Sequence, residues 1–227
     1  MNPVNCPTAW DHPPTRRVWL WYMVVNALGF TSWAASWVLL LTISTYTPQW
    51  VVWIIMPCFL YGLYRMAAQG KIFIAGFLMR RILRAYPWQI VRDVPRGLAD
   101  RHEVVNSQFG WFEFPNPGRK DHSLPLVFPT HLGTRWWAKR MAPRAEPRLQ
   151  AQIETLWFAG DPRFIGIVAA SNKNGAAPRR LHVLEQRIGE LSGQRFTDWC
   201  ATSEDIERGR RAGVRPVRPR TAVRGRM

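Results

Sequence analysis

Two hydrophobic regimes divide the chain. From Val18 to Tyr46 the sequence VWLWYMVVNALGFTSWAASWVLLLTISTY runs 29 positions without a charged side chain. At 1.5 Å per residue, about 20 of these residues would cross a hydrocarbon core of roughly 30 Å. A second apolar run, Trp50 to Ala68, is interrupted only by Arg65 near its end, where a long cationic side chain can reach headgroups. Between them lies the short connector Thr45 to Gln49, whose Pro48 favours a turn over a continuing helix. The pattern predicts a transmembrane hairpin over residues 18–68, with spans at 18–46 and 50–68. A signal peptide fits poorly, because its apolar region is normally about 7–15 residues long and ends at a cleavage site.

Directly behind the second run, GFLMRRILRAYPW (Gly76 to Trp88) gathers Arg80, Arg81 and Arg84. On a helical projection these arginines share one side, while Ile72, Phe73, Phe77, Ile82 and Leu83 leave a broad apolar surface. This predicts an interfacial amphipathic helix over 71–86, lying in the headgroup layer. The competing arrangement extends the second span through residue 79, which carries Arg65 and Lys71 deeper into lipid. Within the spans, Ser32 and Ser36 have the small-xxx-small spacing of close helix contacts, and Asn26 can hydrogen-bond across an interface. These three residues are candidates for helix–helix packing, either inside the hairpin or in a homo-oligomer.

Pro87 ends the helical period, and shorter patterns follow. Trp88 to Val94 reads as a strand, as does Glu103 to Phe114 with a kink at Gly110, and Leu124 to Phe128 is a short apolar run between prolines. Thr155 to Phe158 and Phe164 to Ala169 flank Gly160 to Arg163 (GDPR), a turn signature that predicts a hairpin. Residues 147–154 suit a short helix, and Leu181 to Leu191 fits strand or helix. Residues 87–200 thus predict a small α+β, mainly β, domain. Its expected core is Trp88, Val105, Phe109, Trp111, Phe112, Leu126, Trp157, Phe164, Ile167 and Val168. A flexible N-terminal tail is expected over 1–17, from Pro3, Pro7, Pro13 and Pro14. A disordered basic tail is expected over 201–227, because RGRRAGVRPVRPRTAVRGRM has little apolar surface to bury.

Charge sharpens this division. The net charge is +16, with +3 on residues 1–79, +8 on 80–200 and +5 on 201–227. Such a surplus favours anionic partners, either phospholipid headgroups or nucleic acid. Of the 31 basic residues 27 are Arg, which codon bias alone can produce, so the excess of base over acid carries more weight than the choice of arginine. Arg16 and Arg17 precede the first span; Arg65, Lys71 and the Arg80 group accompany or follow the second; the connector carries none. The positive-inside rule then places both termini in the cytoplasm.

Reactive chemistry is sparse. Cys6, Cys58 and Cys200 show no zinc or disulfide spacing, and His12, His102, His122, His131 and His182 show no ligand spacing. Asp121-His122-Ser123 puts triad residue types side by side, but a relay needs groups converging from separate elements. No phosphate-binding loop, nucleophile elbow or metalloprotease motif occurs. Asp161 in GDPR reads as a turn residue, and Ser171 to Gly175 (SNKNG) as a loop with weak potential for anion contact. No catalytic residue, metal or cofactor is expected.

Binding residues are easier to nominate. Arg135, Lys139 and Arg140 flank Trp136 and Trp137, a combination that suits a lipid interface or a nucleic-acid strand. With Arg80, Arg81, Arg84, Arg208, Arg210 and Arg211 they make up the candidate contacts for anionic lipid or nucleic acid. Two functions are expected from this. One is a non-enzymatic, multi-pass inner-membrane protein that presents a basic cytoplasmic domain to anionic phospholipids or to a cytosolic protein. The other is a membrane-tethered accessory protein that binds DNA, for example in plasmid transfer.

Overall fold

The computed structural model describes residues 6–98, 110–129, 134–172, 177–186 and 199–214, with Lys120 described for its backbone alone. These residues form two compact units: Trp19–Phe77, and the segments before and after it.

The first unit is built from two long helices, α1 (Pro13–Tyr46) and α2 (Gln49–Ala85), whose ends extend into the second unit. The helices are 34 and 37 residues long, and Thr47 and Pro48 make the turn expected between them. Their antiparallel seam is visible in paired contacts. Trp19 Nε1 donates to the Gly76 carbonyl at 2.8 Å, Phe30 meets Phe73 edge-on, and Trp33 and Trp37 do the same with Tyr61 and Phe59. Arg65 lies 5.5 Å from the Trp33 ring, so its charge is turned against an aromatic face. Among the described residues, all the large exposed apolar side chains apart from Ile90 lie on these two helices, including Trp21, Leu28, Leu39, Trp53 and Leu60. Both helices are long and apolar enough to cross a bilayer.

The separate amphipathic helix expected over 71–86 does not form. Gly70 costs about 1 kcal/mol against alanine in a helix, too little to halt a segment whose neighbours are the strong helix formers Met66, Ala67, Ala68 and Gln69. Helix α2 therefore continues unbroken to Ala85. Its last turns bury Met79, Ile82 and Leu83 inside the protein, so this apolar stripe faces the second unit's own core and not an acyl boundary.

The second unit is a mainly β, half-barrel sheet. Seven strands run β1 (Gln89–Arg92), β2 (Arg96–Gly97), β3 (Trp111–Asn116), β4 (Arg119–Val127), β5 (Thr155–Asp161), β6 (Ile165–Ser171) and β7 (Pro178–Gln186). They pair antiparallel in the order β1-β5-β6-β7-β4-β3-β2. Strands β5 and β6 are buried almost throughout, which explains why their sequences are continuous apolar runs instead of alternating ones. On one face Phe112, Phe114, Phe128, Leu156, Phe158 and Leu184 pack with Trp137 and Met141 of α3 (Arg135–Met141) and with Ile153. Ile153 closes a 3-10 turn that follows α4 (Pro147–Gln150), the short helix expected there. The GDPR hairpin forms, and Asp161 closes its turn by accepting from the backbone N–H of Phe164 and, on its carboxylate, that of Arg163. Of the expected core, Trp88, Phe112, Leu126, Trp157, Phe164, Ile167 and Val168 are buried, Trp111 is half-buried, and Val105 and Phe109 lie outside the described residues.

Residues 6–17 and 201–214 are more ordered than their composition predicts. Residues 6–17, expected as flexible tail, form a 3-10 turn at Ala9–Asp11 and the start of α1. Prolines supply the fixed φ that a first helical turn needs, so Pro13 and Pro14 start α1 where they were read as loosening the chain. Cys6, Ala9, His12 and Thr15 are buried there, and Trp88 Nε1 donates to Thr15 Oγ1 at 2.9 Å. At the other end, Ser203–Ala212 is helix α5. Thr202 and Asp205 cap it reciprocally, and Gly213 closes it at φ 104. The expectation of disorder from residue 201 is therefore corrected for this helix; residues 215–227 lie outside the described residues.

Candidate functional site, an arginine-lined cleft

Among the described residues of the second unit, four of the arginine environments differ in what surrounds each guanidinium. The most buried is Arg163, which is paired. Its guanidinium meets the Asp161 carboxylate at 2.7 Å and the Asp205 carboxylate at 2.9 Å, and donates to the Cys200 carbonyl at 3.0 Å. Burial alone would lower its pKa, but hydrogen bonds and charge from Asp161 and Asp205 hold it above the ordinary value. Burial pushes the Asp205 carboxyl the other way, and the Thr202 hydrogen bonds together with Arg163 bring it below the usual carboxylate range. Tyr86, buried nearby, has its phenol pushed up to about 12 by burial first and by Asp161 second. This network fastens α5 to the β5–β6 turn.

A second group surrounds Trp10. Arg16, Arg80 and Arg84 lie 5.8, 5.3 and 5.5 Å from its ring centroid, and Arg16 also pairs with Asp11 at 3.4 Å. The expected candidates Arg80 and Arg84 thus come together, whereas Arg81 is exposed apart from them. The third environment is α5, where Arg208 and Arg210 pair with Glu204 and Glu207 while Arg211 is exposed.

The fourth environment is a cleft of about 560 Å³ between the α4 turn and the β1–β5–β6 side of the sheet. Arg92, Arg148 and Arg179 line it, with Gln152, Thr155, Ser171 and Asn172 adding polar groups. Beside it, the Trp136 ring collects Arg140 at 3.7 Å, Arg179 at 5.8 Å and Arg180 at 5.9 Å. Arg140 lies over the ring and donates from Nε and Nη2 to Gln152 Oε1, at 3.0 and 2.9 Å. Arg179 donates to the same oxygen at 3.4 Å and from Nε to the Ser171 carbonyl at 3.0 Å. Trp157 fixes the Ser171 hydroxyl by donating to it at 3.0 Å. Among the described residues, no carboxylate pairs with Arg92, Arg140, Arg148, Arg179 or Arg180. Burial first, and then the charges of Arg179 and Arg180, hold the Arg140 guanidinium below its ordinary value.

A backbone irregularity builds this cluster. Val168 pairs with His182 and Ala170 with Arg179, so Ala169 alone on β6 faces both Arg180 and Leu181 on β7. Arg180 is the inserted residue, at φ 56. In a regular strand the side chains of residues 179 and 180 would point to opposite faces. The bulge lets both guanidiniums approach one tryptophan.

Sequence reasoning nominated Arg140 and, from the SNKNG stretch, Ser171 at the end of β6 and Asn172 after it, while Lys173 to Gly175 lie outside the described residues. It missed Arg92, Arg148, Gln152, Arg179 and Arg180, which are scattered over four elements. The Arg179-Arg180 pair after a loop was the available signal, but strict strand alternation argues against reading two adjacent residues as one site. The other half of the RWWAKR motif divides: Trp137 is core, while Arg135 and Lys139 are exposed on α3. In the hairpin, Asn26 donates to the Tyr22 carbonyl and Ser36 to the Ser32 carbonyl, both within α1. Ser32 and Ser36 are exposed, and the close approaches of the seam fall at Gly29, Gly62 and Gly76. The chain matches no protein-family model, no curated protein and no solved structure.

Proposed function

We propose that the chain is a multi-pass inner-membrane protein with both termini cytoplasmic, whose sheet domain binds an anionic partner and catalyses no reaction. The observation that carries the binding half is the cleft beside Trp136, where five arginines gather without a carboxylate partner among the described residues. Guanidinium groups crowded in this way repel one another, and an anion entering among them relieves that repulsion while accepting paired hydrogen bonds. The anchoring half is supported by the apolar surface that α1 and α2 leave exposed, an arrangement costly in water over so large an area. The positive-inside distribution supports the orientation, and anionic headgroups are natural neighbours for Arg16, Arg80 and Arg84, which flank the spans in sequence.

Fractionation with a topology readout tests this proposal. The full-length chain should stay with membranes through alkaline carbonate extraction and need detergent for release, and a reporter fused after Met227 should be active only as a cytoplasmic fusion. Recovery in the aqueous fraction, or a periplasmic reporter, contradicts the anchoring half. Binding by the purified chain in detergent should favour anionic over neutral vesicles. DNA binding with a steep salt dependence, carried by exposed Arg135 and Lys139, is the outcome that would favour the tethered DNA-binding alternative.

A further inference from the structure

We infer that the arginine cleft is a site for a compact ligand bearing adjacent phosphate groups, a di- or triphosphate chain that is either free or the diphosphate headgroup of a lipid. The inference rests on the anion-binding half of the proposed function and is independent of the membrane anchor.

Three observations lead to this chemistry. The first is geometric focus. The β7 bulge spends an unfavourable backbone conformation on a non-glycine residue, Arg180 at φ 56, and the effect is to turn two consecutive guanidiniums toward one ring. A non-glycine residue held in this region is strained, and such outliers cluster where a site needs them. The second is orientation of donors. Arg140 lies over Trp136, and its guanidinium is held in place by Gln152 and by the Trp136 carbonyl. Arg92 and Arg148, which line the cleft and make no side-chain hydrogen bond among the described residues, keep their planar forks for the tetrahedral oxygens of phosphate, which accept two parallel N–H donors from one guanidinium. The third is size and lining. A cleft of about 560 Å³ admits a small molecule, and Thr155 and Ser171 place neutral hydroxyl groups between Arg92, Arg148 and Arg179. Neutral donors among fixed cations suit a ligand whose charge is dense and local. A single carboxylate or sulfate uses only a fraction of these donors, whereas adjacent phosphates use several guanidiniums at once. No covalent step is involved; the ligand is bound and released.

The test uses the full-length protein in neutral phosphatidylcholine nanodiscs and follows tryptophan fluorescence while inorganic triphosphate is added. Orthophosphate and sulfate are the charge controls. Arg179→Gln and Arg148→Gln remove one lining cation each; Arg211→Gln removes the same charge from α5. Arg148 is exposed and makes no side-chain hydrogen bond among the described residues, so its variant keeps the test open even where Arg179→Gln folds poorly. The expected result is triphosphate binding tighter than orthophosphate binding by ten-fold or more, weakened about ten-fold by either lining variant and unchanged by Arg211→Gln. A second arm floats the same variants with phosphatidylcholine vesicles doped with diacylglycerol diphosphate, with phosphatidic acid as the single-phosphate control. Arg148-dependent capture there, without triphosphate binding, assigns the site to a lipid headgroup. Binding that falls equally in Arg211→Gln, or vesicle capture indifferent to Arg148 and Arg179, overturns the cleft while leaving general anion binding intact. Failure to bind any anionic probe overturns the proposed function as well. Duplex DNA that depends on Arg179, with neither small probe bound, overturns the small-ligand assignment in favour of a nucleic-acid surface.

Discussion

Arg163 and Arg140 sit in the same sheet domain and show two opposite uses of one side chain. Arg163 is enclosed by two carboxylates and a carbonyl, so its charge is matched inside the fold. Arg140 has a tryptophan, an amide oxygen and two further arginines for company. Surroundings pull the two guanidiniums in opposite directions, upward for Arg163 and downward for Arg140. The difference teaches where stability and binding are separated. A charge satisfied internally holds the chain together; on the proposed reading, charges crowded without a counterion are a cost that a bound anion would remove.

Substitutions should separate the two regions, and the largest effect belongs to the first. Asp161→Ala leaves the buried Arg163 with one carboxylate fewer and should destabilise the domain by about 3–5 kcal/mol, read as a shift in chemical unfolding of the detergent-solubilised chain. Arg148→Gln in the cleft should leave that midpoint nearly unchanged. A comparable loss in both would mean that the cleft arginines are structural and would erase the contrast. Next comes Arg180→Gly, which should stabilise the fold by about 1 kcal/mol by relieving the left-handed backbone, while weakening anion binding. Thr202→Ala should cost about 1 kcal/mol by removing the α5 cap that also positions Asp205 against Arg163.

The smallest effects concern pH. Asp205 is held below the usual carboxylate range, so its contribution is present above that range and is lost as pH falls through its own lowered value. Burial holds the His12 imidazole below its ordinary value of 6.5. The unfolded chain therefore takes up that proton first, and stability declines as pH falls from about 6.5. His12→Asn should flatten the slope just below neutral pH and leave the acid limb due to Asp205 in place. Unfolding midpoints measured between pH 4 and 8, a range spanning roughly the ordinary carboxylate and imidazole values, resolve the two.

Elements whose residues act on their neighbours were legible in the sequence. The uncharged run from Val18 and the turn at Pro48 give α1, the loop and α2; the GDPR turn gives β5 and β6, since Asp161 acts on residues two and three positions away. Composition misled where local capping outweighed it. The arginines after Arg208 suggested disorder, although Thr202, Asp205 and Gly213 spell the start and stop of a helix. The cluster at Arg80 suggested a separate interfacial helix, because the covering of Met79, Ile82 and Leu83 by distant parts of the chain has no local signature. The cleft was the least legible feature. Its arginines come from β1, α3, α4 and β7, and the bulge that unites two of them depends on pairing with β6.

The most direct test of the separation between matched and crowded charge is thermal unfolding of the full-length chain in neutral nanodiscs, with and without saturating inorganic triphosphate. A ligand that binds only the folded state raises the transition in proportion to its occupancy, about 2.7 kcal/mol at a hundred times its dissociation constant. The account predicts a clear rise for the wild-type chain and for Arg211→Gln, and a much reduced rise for Arg148→Gln and Arg179→Gln. An unchanged transition in the wild type, or an equal rise in all four proteins, would contradict it.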